Sequence, residues 1–264
     1  MTGIAGMAYA QARIQSRYGS RADAGVWLKL QNIHDLGSYL QTAQQTSLRH
    51  WILGISTTHS SHELELTLRQ KYRDHIDEVA NWVPGRWRRP LYWLKRIPDL
   101  PAMQYLATGG TALEWMKKDP DLADFTDASQ EVRVQAMRDA GCASLVDALH
   151  RDGNLLEGWM REWHTIWPRS KHHDRGFSEL ERLIDQLILS QTPAHSRGRD
   201  DVLPADYDSI SNQFRMIFRR HAFQPASVCA YLAIIMIDVH RIRSDLIQRM
   251  FFADARFHAE DLSI

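Results

Sequence analysis

Apolar residues at Val228, Leu232, Ile235, Val239, Ile242 and Leu246 recur at steps of four and three, which draws one stripe along a helix. The other faces of that segment carry Asp238, Arg241, Arg243, Asp245 and Arg249. Arg241 and Asp245 stand four apart, as do Asp245 and Arg249, so the reading is a helix with charges paired along its outside. Such a helix buries its stripe against other helices.

The same period fills most of the chain. It predicts helices over about 4–17, over 23–44 with Val26, Leu30, Ile33, Leu36 and Leu40 inward, and over 48–55. Ser60 or Ser61 is a candidate N-cap for a helix from Glu63 to Val83, because Glu63 and Glu65 fall in its first turn. Pro84, Pro90, Pro98 and Pro101 break the following stretch into short helical pieces. Further helices are predicted over 112–118, 129–150, 176–191, 206–222 and 226–252. Asn154 is placed to cap another, in which Trp159, Trp163 and Trp167 share one face. The polar stretch 192–206 reads as a loop, and the last residues as a frayed tail. No convincing strand alternation occurs. The expected architecture is all-α: one domain over 1–264, with roughly ten helices in a multi-helical array.

Composition narrows the classes. The 264 residues hold 32 basic and 32 acidic side chains, so formal net charge is zero and a general nucleic-acid binder is not expected. Hydrophobic residues at 44% mark a folding chain. Cys142 and Cys229 stand alone in apolar contexts and read as core thiols of a reduced compartment. The N-terminus lacks a signal-peptide pattern, and the longest apolar run falls short of the ~20 residues a membrane span needs. The expectation is a soluble, cytoplasmic protein.

Candidate chemistry is sparse. His59 and His62 lie beside Glu63, and His172 and His173 precede Asp174, but neither group has the spacing of a closed metal set. A histidine-rich cleft with His59, His62, His164, His172 or His173 defines one alternative, a helical metal-binding enzyme or regulator. No phosphate loop, dinucleotide turn or nucleophile elbow is present, so no catalytic residue, cofactor or metal is expected. The densest feature is Arg86, Trp87, Arg88, Arg89, Trp93, Lys95 and Arg96, with Tyr92 among them. Aromatic and basic residues together can grip an acidic protein surface, an anionic lipid or a single strand. The plainer reading turns the aromatics inward and leaves the arginines in water. An adaptor that holds an acidic partner is the second alternative.

Both ends of the chain carry motifs in a recognisable order. Tyr9, Ala12, Arg13 and Arg17 come first, then Ile33-His34-Asp35-Leu36, Tyr39-Leu40 and Thr46. Near the C-terminus stand Ala230-Tyr231-Leu232, Asp238 and Arg241-Ile242-Arg243. This pattern resembles the C/d-subunit family of archaeal-type and vacuolar-type rotary ATPases. Tyr18-Gly19 replaces that family's usual Leu-Leu, and its threefold internal repeat is not detectable here. The resemblance implies a shortened, non-catalytic subunit on the cytoplasmic face of the membrane. It would seat the central shaft on the rotor ring and touch the membrane only through that ring.

Overall fold

The computed structural model describes residues 3–127, 129–152, 155–168, 176–191 and 207–261. Asn154, the pair His172 and His173, and the loop expected over 192–206 lie outside them. Among the described residues the chain is all-α, with no strand. In order, the helices are α1 (Gly3–Gly19), α2 (Ala24–Gln31), α3 (Leu36–Gln44), α4 (Arg49–Ile52), α5 (Ser61–Ala80), α6 (Arg88–Trp93) and α7 (Leu100–Ala107). They continue as α8 (Glu114–Lys118), α9 (Gln130–Met137), α10 (Ala143–Asp152), α11 (Leu155–Ile166), α12 (Phe177–Gln191), α13 (Tyr207–Arg220) and α14 (Pro225–Asp261). Eleven of these have eight residues or more, close to the roughly ten expected.

Local chemistry sets the ends. Ser60 and Glu63 form a reciprocal capping box before α5: Ser60 N–H donates to Glu63 Oε2 at 2.8 Å, and Glu63 N–H donates to Ser60 Oγ at 3.3 Å. Asp23 caps α2 by accepting from Val26 N–H. Two long predicted helices are each interrupted. The one expected over 23–44 breaks at 32–35, where Asp35 accepts from Ser38 N–H at 2.7 Å and starts α3. The one expected over 129–150 breaks at Gly141, whose φ of 80° no side-chain-bearing residue adopts cheaply. The terminal helix runs on to Asp261 through the stretch expected to fray.

The chain divides into two compact units, one of residues 1–11 and 76–234, the other of residues 12–75 and 235–264. The single domain expected from the sequence carries no sign of this division. The boundaries fall inside α1, α5 and α14 rather than at 192–206, so no proline, glycine or change of composition marks them.

In the unit of residues 1–11 and 76–234, α10 and α11 approach with Gly158 at the contact. A Cβ there would lie 2.4 Å from Ser144 O and 2.5 Å from Leu145 Cα. Arg133 is buried and donates to the carbonyls of Leu106, Gly110 and Asp127, so one guanidinium ties the turn after α7 to α9. On the part of α14 that belongs to this unit, every residue from Ala226 to Ile234 is buried, a wider belt than a single stripe. By length and a mean hydropathy of 1.4, Pro225–Phe251 could cross a membrane, but 78% of that window is buried inside the protein, as befits a core helix.

In the unit of residues 12–75 and 235–264, the charges of α14 reach other helices as well as each other. Arg21 grips Asp238 with two bonds, Nε to Oδ2 at 2.6 Å and Nη2 to Oδ1 at 2.7 Å. Arg241 lies over the Trp27 ring at 4.4 Å. Glu65 accepts from Arg243 at 2.8 Å and from Arg69 at 2.6 Å. Burial would raise the Glu65 carboxyl, but the two guanidinium groups win and hold it below the usual range. Tyr39 O–H donates to Asp245 at 3.2 Å, and burial and that carboxylate push the phenol pKa upward. Arg249 is buried over the Tyr39 ring and donates to Ile33 O at 2.7 Å and Leu30 O at 3.0 Å. It thereby adds a charged donor to two carbonyls at the break between α2 and α3, where Leu30 O also accepts from Ile33 N–H. Of the two i,i+4 pairs expected along the outside, Arg249 and Asp245 stand 3.7 Å apart, with Arg249 buried and Asp245 half-buried.

His240 gives this unit a pH dependence. Burial first, and Arg243 second, lower its pKa from 6.5 to about 4, against the opposing pull of Glu65. The folded state therefore binds fewer protons than the unfolded chain between these values, so stability falls as pH drops from about 6.5 towards 4. The expected loss across that window is at most about 3 kcal/mol. Urea midpoints of the wild type and His240→Gln at pH 7 and pH 4.5 check it. The gap between the two proteins should change with pH, and an unchanged gap would clear His240.

Candidate interaction surface

The basic-aromatic segment separates into two layers. Gly85–Trp87 forms a tight helical turn that leads into α6, and Leu94–Asp99 forms another that leads into α7. Trp87 is 5% exposed, and Trp93 turns inward to stack on Trp159 at 6.4 Å. These indoles belong to a continuous cluster. Trp159 meets Trp163 at 5.3 Å, Trp163 meets Trp167 at 5.3 Å, and Trp167 meets Trp87 at 5.1 Å and Phe177 at 4.2 Å.

Several of the indole N–H groups find carbonyls within the cluster. Trp93 Nε1 donates to Trp159 O at 3.1 Å and Trp159 Nε1 to Trp93 O at 3.3 Å, a reciprocal pair. Trp163 Nε1 donates to Pro90 O at 3.1 Å. The α11 face of Trp159, Trp163 and Trp167 thus pins the segment 87–93 by ring packing and by its backbone. Trp87 is buried and Trp93 is half-buried. They make the platform on which the arginines stand.

The cations of the segment face outward to different degrees. Arg86, Arg88 and Arg89 are all exposed. Arg86 lies over the Trp87 ring at 5.4 Å. Arg89 reaches Glu162 at 3.4 Å, an exposed pair worth little in water. Lys95 pairs with Asp77 at 2.5 Å, and Arg96 donates to Asp121 O at 3.4 Å, so both are drawn back into the protein. Arg88 forms no ion pair among the described residues. Of the seven residues singled out in the sequence, Arg86, Arg88 and Arg89 are the exposed ones.

The other candidates take structural places. His59 Nδ1 accepts from Ser56 N–H in the turn before α5, and His62 lies in the first turn of α5. His164 bonds Glu181 and lies edge-on to Phe177. No group of three potential metal ligands occurs among the described residues. Cys142 and Cys229 are both buried and form no disulfide among the described residues, and burial pushes the Cys142 thiol pKa up, away from nucleophilic use.

One feature was not legible in the sequence. An open groove of about 600 Å³ runs between α11 and α12, where Glu157, Glu181 and Asp185 alternate with Arg161 and Arg182. Burial raises the Asp185 carboxyl, and the flanking Glu181 and Glu157 raise it further. Helical spacing on each helix contains these residues, but only packing brings the two rows together.

Comparison with protein-family models, curated proteins and solved structures finds no match to this chain.

The two layers should respond differently to substitution. Trp87→Ala is expected to cost about 3–5 kcal/mol of stability, as removal of a buried aromatic does. Arg88→Ala should stay within about 0.5 kcal/mol. Chemical denaturation of both variants checks the assignment, and a neutral Trp87→Ala would refute it.

Proposed function

We propose that the protein is a non-catalytic coupling subunit of a V/A-type rotary ATPase, held on the cytoplasmic face of the membrane by the rotor ring. The observation that carries this reading joins sequence to structure. Of the stretches that resemble the C/d-subunit family, Ala12 to Arg17, 33–46 and 238–243 fall in one unit although some two hundred residues separate them, while Tyr9 and 230–232 fall in the other. The stretches 33–46 and 238–243 share one framework: Ile33 O accepts from Arg249, Tyr39 bonds Asp245, Asp238 holds Arg21, and Arg243 holds Glu65.

Torque transmission asks for a body that does not yield under load. Buried ion pairs between helices and a tryptophan platform with bonded indoles support such stiffness. Arg86, Arg88 and Arg89 are the residues proposed to grip acidic loops of the ring. The same arginines support a second reading, an adaptor that holds some other acidic protein.

Arg86, Arg88 and Arg89 changed together to Glu should leave the thermal midpoint unchanged and lower co-purification with the membrane sector by at least about tenfold, through reversed charge at the contact. Undiminished association removes the arginines from the account. Absence of ring and nucleotide-binding subunits among the chains recovered with the wild type removes the coupling role.

A further inference from the structure

Phe223 is held where the fold gives it no task. It closes the turn between α13 and α14 with φ of 68°, the one residue other than glycine with positive φ among the described residues, and its side chain is 59% exposed. Glycine or asparagine suits such a position, whereas a residue with a bulky side chain strains there. The conformation is fixed from behind: Phe223 N–H donates to Oε1 of the buried Gln11 at 3.0 Å. A large aromatic ring is therefore presented to solvent at a turn tip, at some expense to the protein's own stability.

Its surroundings are apolar and cationic. Met216, Arg219 and Arg220 share the exposed face of α13 that leads to this turn, and Met216 is 49% exposed. Arg220 is engaged by Glu179 at 3.2 Å, while Arg219 forms no ion pair among the described residues. The turn carrying Arg86 and Arg88 is a neighbour. Pro84 packs on Gly6 of α1, five residues from Gln11, and Trp87 and Pro225 line the same small apolar pocket.

We propose that this face docks directly on the anionic surface of a lipid bilayer. Phe223 and Met216 enter the boundary of the acyl chains, and Arg219, Arg86 and Arg88 meet the headgroup phosphates. An exposed ring at a turn tip needs no complementary pocket in a soft interface, and Arg219 and Arg88, which form no ion pair among the described residues, supply attraction to negative lipid. The contact shares Arg86 and Arg88 with the proposed ring contact, but it rests on Phe223, Met216 and Arg219, which the ring contact does not use.

The test is flotation of the purified full chain with vesicles of phosphatidylcholine alone, or of phosphatidylcholine and phosphatidylglycerol in equal parts. The chain should float with the anionic vesicles only, and added salt should release it. Phe223→Asn should weaken partition by about tenfold, the worth of burying one such ring, while raising the thermal midpoint because Asn tolerates the left-handed backbone. Met216→Gln should weaken it in the same direction without touching that backbone. Equal flotation with both kinds of vesicle, none with either, or unchanged partition of Phe223→Asn would overturn the proposal. The none-with-either result would leave an acidic protein as the partner of this face. Because vesicles contain no ATPase subunits, none of these outcomes bears on the coupling role.

Discussion

Charged side chains on α14 organise one unit of this protein by reaching across to other helices. The bidentate clasp between Arg21 and Asp238 is the central case, with both side chains largely out of water. Removing a charge from water is costly, and a pair offsets the cost only through close geometry and full hydrogen bonding. Here the geometry is close, and the same logic repeats along the helix at Arg243 with Glu65, and at Arg249 with two backbone carbonyls. Each contact demands one register of α14 against its neighbours, which a purely apolar stripe would fix less sharply. The break between α2 and α3 is tied to this register, because Arg249 donates to two of its carbonyls.

The other unit reaches rigidity by a different route. Its tryptophans are packed in a chain of tilted and edge-on contacts, and several of their indole N–H groups bond carbonyls of the facing segment. That arrangement converts a proline-punctuated stretch, which has little helical stability of its own, into a fixed platform for exposed arginines. Both units thus serve the proposed role in the same sense, by holding a surface in place rather than by supplying a reacting group.

Much of this was legible from residue order, and the misses have physical causes. The N-cap at Ser60 or Ser61 was readable from the acidic first turn that follows, and the structure settles it on Ser60, with Glu63 closing a box back to it. The breaks at 32–35 and at Gly141 were not, since apolar spacing continues across both. Asp35 and Gly141 act there through a cap and a positive φ that periodicity does not register. The paired charges of α14 looked like a solvated face because Arg21, Glu65 and Ile33 are distant in sequence. At the basic-aromatic segment, the inward tryptophans and outward arginines followed from residue type alone. The groove between α11 and α12 and the exposed Phe223 did not, because each depends on how separate elements meet.

The most direct measurement is a double-mutant cycle on the clasp, with Arg21→Met, Asp238→Leu and the double variant unfolded in urea. Each single change should cost about 3–5 kcal/mol, because the partner is left charged and buried. The double variant should cost clearly less than the sum, with a coupling of at least about 2 kcal/mol. Mild single effects that simply add would contradict the account, and would return α14 to an ordinary apolar core helix.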